Sequence, residues 1–236
     1  GPYVRQFDRA TGELIKTFTL PGNLNAANLA PTEGPEISGN TSGRVANKGM
    51  EGLAITPDGT TLIGIMQAPL IQDAADPATA KLLRIVTIDI ATGATKEYGY
   101  NLTNGSGVSE IVAINDHEFL VVERDGKGLG EGSSAKVMLI FKIDLAGPAD
   151  TTNLTGAAAA AAVIAKSATP FLDLVAALVA NGVPKDQIPA KIEGISFGQD
   201  VWNEGLLYHT LYITNDNDFL PGIAGPNQFF VFRFQD

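Results

Sequence analysis

Apolar and polar residues alternate in short runs along most of the chain, and one arrangement of these runs occurs three times. In each copy a glutamate opens an apolar run, a turn follows, and a second apolar run comes after the turn. Alternation with a period of two, interrupted by a turn, is typical of an antiparallel hairpin. The predicted hairpins lie at residues 50–65, 108–123 and 192–214.

A third strand-like run follows each hairpin, at residues 83–90, 137–145 and 228–234. Behind the first of these runs, a turn leads into a fourth run at residues 95–100. Four antiparallel strands repeated at intervals of several tens of residues are the sequence signature of a β-propeller blade. The sequence therefore predicts an all-β fold, a β-propeller of four-stranded antiparallel blades.

The amino-terminal residues match only the second half of such a blade. Residues 3–8 and 13–18 read as third and fourth strands, which gives about three and a half blades, fewer than the roughly 4 to 8 of a closed propeller. We expect residues 1–236 to be a single domain, the C-terminal part of a larger propeller that an N-terminal segment completes. The alternative is that Gly1 and Pro2 are a cloning remnant and that the fold closes with the strands present.

Residues 157–190 interrupt the repeat and predict a helical insertion. An alanine run at residues 157–162 and an apolar segment at residues 171–180 favour helix, and Asn181 with Gly182 forms a stop signal. We interpret the insertion as a packed cap on the propeller rim, with partner binding as the alternative.

The composition of the chain excludes several classes of partner and of functional site. The chain has 16 basic and 26 acidic residues and a formal net charge of −10, which argues against nucleic acid as a partner, and we expect no membrane span. It has no cysteine, which excludes disulfides, thiolate zinc sites and cysteine nucleophiles. Its two histidines, His117 and His209, are too few for a multi-histidine metal site. Oxygen ligands remain, and they favour hard cations such as calcium.

The three repeated glutamates are Glu51, Glu110 and Glu193. The first strand of each propeller blade lines the central channel, so these side chains would ring one end of it. Clustered carboxylates repel one another unless a cation or a basic side chain lies among them. The pattern favours bound calcium or a salt-bridged ring, and the alternative is that each glutamate only caps neighbouring backbone amides.

A second polar cluster is predicted where the second strands end, at residues 123–126 and 214–218, with Gln67 at the corresponding place in the first copy. Asp216 and Asp218 offer oxygen ligands at short spacing, although such residues are also common in ordinary turns. Three basic residues occur near these acids, and each suits either phosphate binding or a plain salt bridge: Lys48, Arg84 and Arg124.

Several ordered motifs resemble the bacterial phytase-like family described as "esterase-like activity of phytase". They lie at residues 47–54, 109–111, 119–125, 192–195 and 215–219. Gly1, Pro2 and Tyr3 resemble the middle of a longer acidic motif of that family, which favours a native sequence cut short over a cloning remnant. The resemblance implies an exported bacterial β-propeller, secreted or periplasmic, with calcium-dependent phosphoester or ester hydrolysis.

The resemblance also implies roles for the candidate residues. Calcium would be held by five carboxylates: Glu51, Glu110, Glu193, Asp216 and Asp218. Lys48 and Arg124 would clamp the anion of a small phosphorylated or ester substrate, and Glu123 is the third candidate catalytic residue. The alternative function is a non-enzymatic, calcium-stabilised propeller that acts as a binding or surface-assembly module.

Overall fold

Short antiparallel strands joined by tight turns are the main elements of residues 2–235, the part of the chain that the computed structural model describes. The chain divides into two compact units. The first contains the residues up to Leu102 together with Ala113–Phe119 and Ile143–Lys166. The second contains Thr103–Val112, Leu120–Lys142 and the chain from Ser167 onward.

The first unit is built on two antiparallel sheets. A two-stranded sheet pairs β1 (Val4–Phe7) with β2 (Leu14–Phe18). A four-stranded sheet follows in chain order: β3 (Met50–Ile55), β4 (Thr61–Met66), β5 (Leu82–Asp89) and β6 (Thr95–Asn101). Three short helices accompany the sheets: α1 (Glu33–Ser38), α2 (Ile71–Ala74) and α3 (Gly156–Ala161).

Tight turns and apolar burial fix the four-stranded sheet. Gly59 and Gly93 adopt φ values of 72° and 78° in the β3–β4 and β5–β6 turns, a left-handed conformation that glycine takes without steric cost. The central strands β4 and β5 are buried along most of their length. Their side chains pack into a core with residues from β1, β2 and the following loops: Val4, Phe18, Leu24, Met66, Leu70, Val86 and Ile88.

A buried ion pair ties α2 to β5. The Arg84 Nε and Nη2 atoms donate to the two carboxylate oxygens of Asp73, each at 2.9 Å, and both side chains are at least 98% buried. Nη2 also donates to the Leu154 carbonyl at 3.0 Å. The Arg84 side chain is therefore a salt-bridge partner, one of the two roles that its sequence position allowed.

The β10-β9-β8-β7 sheet holds strands β7 (Gly107–Ala113), β8 (Glu118–Arg124), β9 (Met138–Asp144) and β10 (Leu172–Asp173). The helix expected from Phe171 begins instead at α4 (Leu174–Ala180), because the two preceding residues pair with β9. It ends at the expected stop signal, where Val183 N–H donates to the Leu178 carbonyl and Gly182 has a φ of 86°.

The last sheet has a ten-residue strand at its centre. It comprises β11 (Ile192–Phe197), β12 (Val201–Asn203), β13 (Leu206–Asn215) and, after the short helix α5 (Pro221–Ala224), β14 (Phe229–Phe234). Strands β11 and β12 pair with successive parts of β13, and β14 pairs with its other edge.

The prediction of a mostly β chain with four-stranded antiparallel sheets is confirmed. The repeated strands lie within one or two residues of their predicted positions, because alternation and turn residues mark them directly. Strand β12 and helices α1, α2 and α5 were not predicted. No helix within residues 2–235 is both long and apolar enough to cross a bilayer.

Asp73→Asn should lower the free energy of unfolding by about 3–5 kcal/mol, because it leaves the buried Arg84 guanidinium without its charged partner. Urea denaturation measures this change. Asp89→Asn, at the exposed end of β5, is the control and should cost less than about 1 kcal/mol. Equal losses in the two variants would contradict the importance of the buried pair.

Glu97→Gln should make the stability less dependent on pH. Burial raises the pKa of Glu97, against the hydrogen bonds from Asn23, so the folded chain binds this proton more tightly than the unfolded chain. The resulting stabilisation is present at low pH and is lost as the pH rises from the ordinary carboxyl pKa to the raised value.

Urea titrations between about pH 4 and about pH 8 measure this slope. Wild type should lose stability relative to Glu97→Gln as the pH rises. A difference between the two that stays constant over this range would show that the raised pKa is wrong.

Candidate functional site

Two of the three repeated glutamates lie at β-bulges. In the β3–β4 pair, Met50 is opposite Met66 but Gly52 is opposite Ile65, so Glu51 is the extra residue. A bulge leaves its extra residue outside the regular ladder and turns its side chain to a new direction. Bulges of this kind are frequent beside active sites.

Strand β11 repeats this irregularity at Glu193. Ile192 is opposite Asn215 and Gly194 is opposite Thr214, so Glu193 is the extra residue of the β11–β13 pair. The two sites therefore share one backbone design, as the sequence repeat indicated.

Matching hydrogen bonds confirm the equivalence of the two sites. Gln67 N–H donates to the Gly49 carbonyl at 2.8 Å, and Asp216 N–H donates to the Lys191 carbonyl at 2.9 Å. Gln67 and Asp216 thus occupy the same place at the ends of their second strands, as predicted.

Glu51 is exposed and lies in a cleft of about 440 Å³ within the first unit. We call it the Glu51 cleft. Its lining includes Tyr3, Val4, Arg44, Asn47, Glu51 and Leu53. A carboxylate and a guanidinium thus line one open cavity, an arrangement that suits an anionic or ester ligand.

Arg44 was not among the sequence candidates, and the structure explains how it is held. Its Nη1 atom lies 2.6 Å from the Glu36 carboxylate and donates to the Val45 carbonyl at 3.3 Å. Glu36 is buried in α1, and the Ala30 N–H, followed by Arg44 itself, holds its pKa below the ordinary value. The ionised Glu36 carboxylate therefore anchors the guanidinium.

Lys48 lies in a tight turn beside the cleft. Its N–H donates to the Val45 carbonyl at 3.1 Å, and Asn47 between them has a φ of 55°, which asparagine tolerates better than most residues. The Lys48 side chain is exposed, and Lys48 directly follows the lining residue Asn47 in the chain. Anion binding by Lys48 stays a prediction of the sequence.

Glu193 has a different environment in the second unit. The Arg124 Nη2 atom donates to its Oε1 atom at 2.6 Å, and only 13% of the Arg124 side chain and 34% of the Glu193 side chain are exposed. Glu193 therefore forms a salt bridge, one of the possibilities that its sequence position left open.

A hydrogen bond joins the strands that carry Glu110 and Glu193. The Ser109 hydroxyl donates to the Ile192 carbonyl at 2.7 Å, which joins the starts of β7 and β11. The Glu110 Oε1 atom accepts the Ile111 N–H at 2.8 Å. Two of the three repeated glutamates thus follow residues that touch.

Glu123, a predicted catalytic residue, is completely buried. Its Oε1 atom accepts the backbone N–H groups of Thr103, Asn104 and Gly105, each at 2.8 Å. Three such bonds to one oxygen fix the loop that precedes β7. The geometry therefore gives Glu123 a structural task, which its sequence position beside Arg124 did not reveal.

The predicted residues Asp216 and Asp218 line a small cavity together with Lys191, which the sequence did not single out. Lys191 forms an ion pair with Asp218 and lies 3.8 Å from Glu131, and the hydrogen bond to Asp218 raises the pKa of Lys191. Asp216 Oδ1 accepts the Asp218 N–H at 2.9 Å. The cavity here is only about 20 Å³, so this site is nearly filled.

The donors predicted for calcium do not gather into a metal site within residues 2–235, where no group of three or more carboxylate or imidazole side chains is placed to hold an ion. Glu193 and Asp218 are each paired with a basic side chain instead. Calcium dependence stays a prediction of the sequence.

Each histidine is also paired with an aspartate. His117 lies in a turn with its Nδ1 atom 2.9 Å from Asp144, and His209 lies in β13 with its Nδ1 atom 2.8 Å from Asp200. The His117 pair is exposed and the His209 side chain is partly buried.

Glu193→Gln should lower the free energy of unfolding by about 1–3 kcal/mol, because the mostly buried Arg124 loses its charged acceptor. Glu51→Gln, at the equivalent bulge, should change it by less than about 0.5 kcal/mol because Glu51 is exposed. Paired urea titrations compare the two, and a larger loss for Glu51→Gln would refute the contrast between the sites.

Comparison with known proteins supports the resemblance found in the sequence. The model of the Phytase-like family, described as "Esterase-like activity of phytase", matches residues 1–219. No curated protein and no solved structure matches the chain. The repeated glutamate motifs and a match over nearly the whole chain lead to one conclusion: the chain belongs to the Phytase-like family.

Proposed function

We propose that the protein is a hydrolase of phosphate or carboxylic esters and that the Glu51 cleft is its active site. The observation that carries this proposal is the contrast between the two bulges. Glu51 opens into a cavity that also contains Arg44, whereas the carboxylate of Glu193 is engaged by Arg124. A substrate therefore has room at the first site.

The charge around the Glu51 cleft also supports this choice. Arg44 lines the cleft, and the guanidinium of Arg5 lies 4.7 Å from the centre of the ring of Tyr3, another lining residue. Local positive charge matters in a chain with a net charge of −10, because the overall field repels anions.

The Lys191 surroundings have the opposite balance. Lys191 faces Asp218 and Glu131, with Asp216 hydrogen-bonded to Asp218. An anionic substrate would meet excess negative charge there, so we place substrate binding at the Glu51 cleft.

The chemistry needs a base, a cation and water. Arg44 pairs with the anionic or carbonyl oxygen of the substrate and stabilises the charge that grows on it. The Glu51 carboxylate takes a proton from a water molecule as the water oxygen bonds to phosphorus or to the carbonyl carbon. As the bond to the alcohol oxygen breaks, Glu51 returns the proton to that oxygen and becomes a carboxylate again.

We further propose that the three four-stranded sheets are blades of a β-propeller. Antiparallel sheets that follow one another along the chain, with a glutamate near the start of the first strand in each, support this fold. We also propose that the protein is secreted or periplasmic, as the family resemblance implies.

The test is hydrolysis of p-nitrophenyl phosphate, p-nitrophenyl acetate and phytate by wild type and by Glu51→Gln. Loss of the base should lower kcat by roughly 100-fold or more. Glu13→Gln, an exposed carboxylate of the same unit, should retain wild-type activity. Arg44→Gln should lower kcat/KM for the phosphate ester, with folding verified by circular dichroism.

Each assay is run with added calcium and with excess chelator, so that the predicted calcium dependence is tested separately. Absence of turnover on every substrate, with the fold intact, would overturn the hydrolase proposal. It would favour the alternative of a non-enzymatic binding module. Unchanged activity in Glu51→Gln would place the active site elsewhere.

A further inference from the structure

The Glu51 cleft has an apolar side that hydrolysis itself does not require. Strand β3 turns Glu51, Leu53 and Ile55 toward solvent, with Leu53 and Ile55 49% and 52% exposed. The outward face of an antiparallel strand is normally polar. Leu53 lines the cleft beyond Glu51, so apolar surface adjoins the carboxylate.

Tyr3 supplies a second apolar surface of the cleft. Its side chain is 66% exposed, and the Arg5 guanidinium covers one face of its ring at 4.7 Å from the ring centre. A cation in this position favours a fixed ring orientation. The ring can then contact an apolar group of a ligand bound in the cleft.

The size and charge of the cleft restrict the ligand further. About 440 Å³ is within the range of small-molecule sites. Arg44, the basic residue among the described residues of the lining, is already paired with Glu36, so the cleft has little positive charge to offer several phosphate groups. A densely phosphorylated molecule would keep uncompensated charge and would be repelled by the acidic chain.

We propose that the preferred substrate is a phosphate monoester of an apolar alcohol, aryl or alkyl, and not a polyphosphorylated polyol. The phosphate lies against Arg44 and Glu51, and the alcohol portion contacts Leu53 and Tyr3. This inference rests on the proposed function, because it assigns the substrate class of the same cleft.

The experiment compares kcat/KM for phenyl phosphate, glycerol phosphate and phytate in wild type, Leu53→Asn and Ile55→Asn. Phenyl phosphate should be the best of the three substrates. Leu53→Asn should raise KM for phenyl phosphate roughly tenfold and leave glycerol phosphate within about twofold. Ile55→Asn is the matched control, since Ile55 is equally exposed on β3 but is not in the lining formed by the described residues.

Binding of phenylphosphonate, which is not hydrolysed, separates this inference from the proposed function. Weaker binding in Leu53→Asn but not in Ile55→Asn would support the substrate class even if no ester were turned over. Phytate as the best substrate, with activity lost in Glu51→Gln, would overturn the substrate class and leave the hydrolase proposal intact. Equal effects of the Leu53 and Ile55 substitutions would also overturn it.

Discussion

The extra residue in the first strand of a sheet is the constraint on which both glutamate sites depend. Within the paired segments, β3 has one residue more than β4 and β11 has one more than β13, which forces Glu51 and Glu193 out of the regular ladder. The glycine that follows keeps the bulge close to its neighbour, since a Cβ atom at Gly194 would lie 2.6 Å from the Thr214 Cγ2 atom. Backbone geometry, before any charge is considered, places these carboxylates.

Electrostatic partners then make the two equivalent sites different. Arg124 lies at the end of β8 and donates a hydrogen bond directly to Glu193, so each charge compensates the other. Arg44 lines the cavity of Glu51, but its Nη1 atom is held by Glu36. A carboxylate already paired with a guanidinium contributes to stability, whereas one that faces a cavity can accept a proton from water. The same bulge thus carries a salt-bridged glutamate in one unit and an exposed glutamate in the lining of a cavity in the other.

The sequence predicted what depends on local pattern and missed what depends on distant contacts. Strands β3 and β11 were predicted because alternation and a turn define them within a dozen residues. The Arg84–Asp73 pair was not specified, because nothing local connects a strand arginine to a one-turn helix. Glu123 was placed among the catalytic candidates, but the loop at residues 103–105 that occupies its carboxylate is about twenty residues away in the sequence. Arg44 belongs to no sequence motif, and it becomes a candidate only because it lies in the lining of the Glu51 cleft.

The loop between β2 and β3 explains how Arg44 is delivered to that cavity. Asn40, which is buried, exchanges hydrogen bonds with the Asn28 backbone, donating to its carbonyl and accepting its N–H, both at 2.8 Å. It also donates to the Glu36 carbonyl at 2.7 Å, and so fixes the helix that carries the Glu36 carboxylate. Surface loops rarely bury polar side chains, and the buried Glu36 and Asn40 form hydrogen bonds that hold this loop in one shape. Because Glu36 in turn holds Nη1 of Arg44, these buried bonds set the position of one guanidinium in the lining that also contains Glu51. Electrostatic stabilisation of a substrate requires a cation that is in place before the substrate arrives, and in the proposed function this loop would supply that preorganisation.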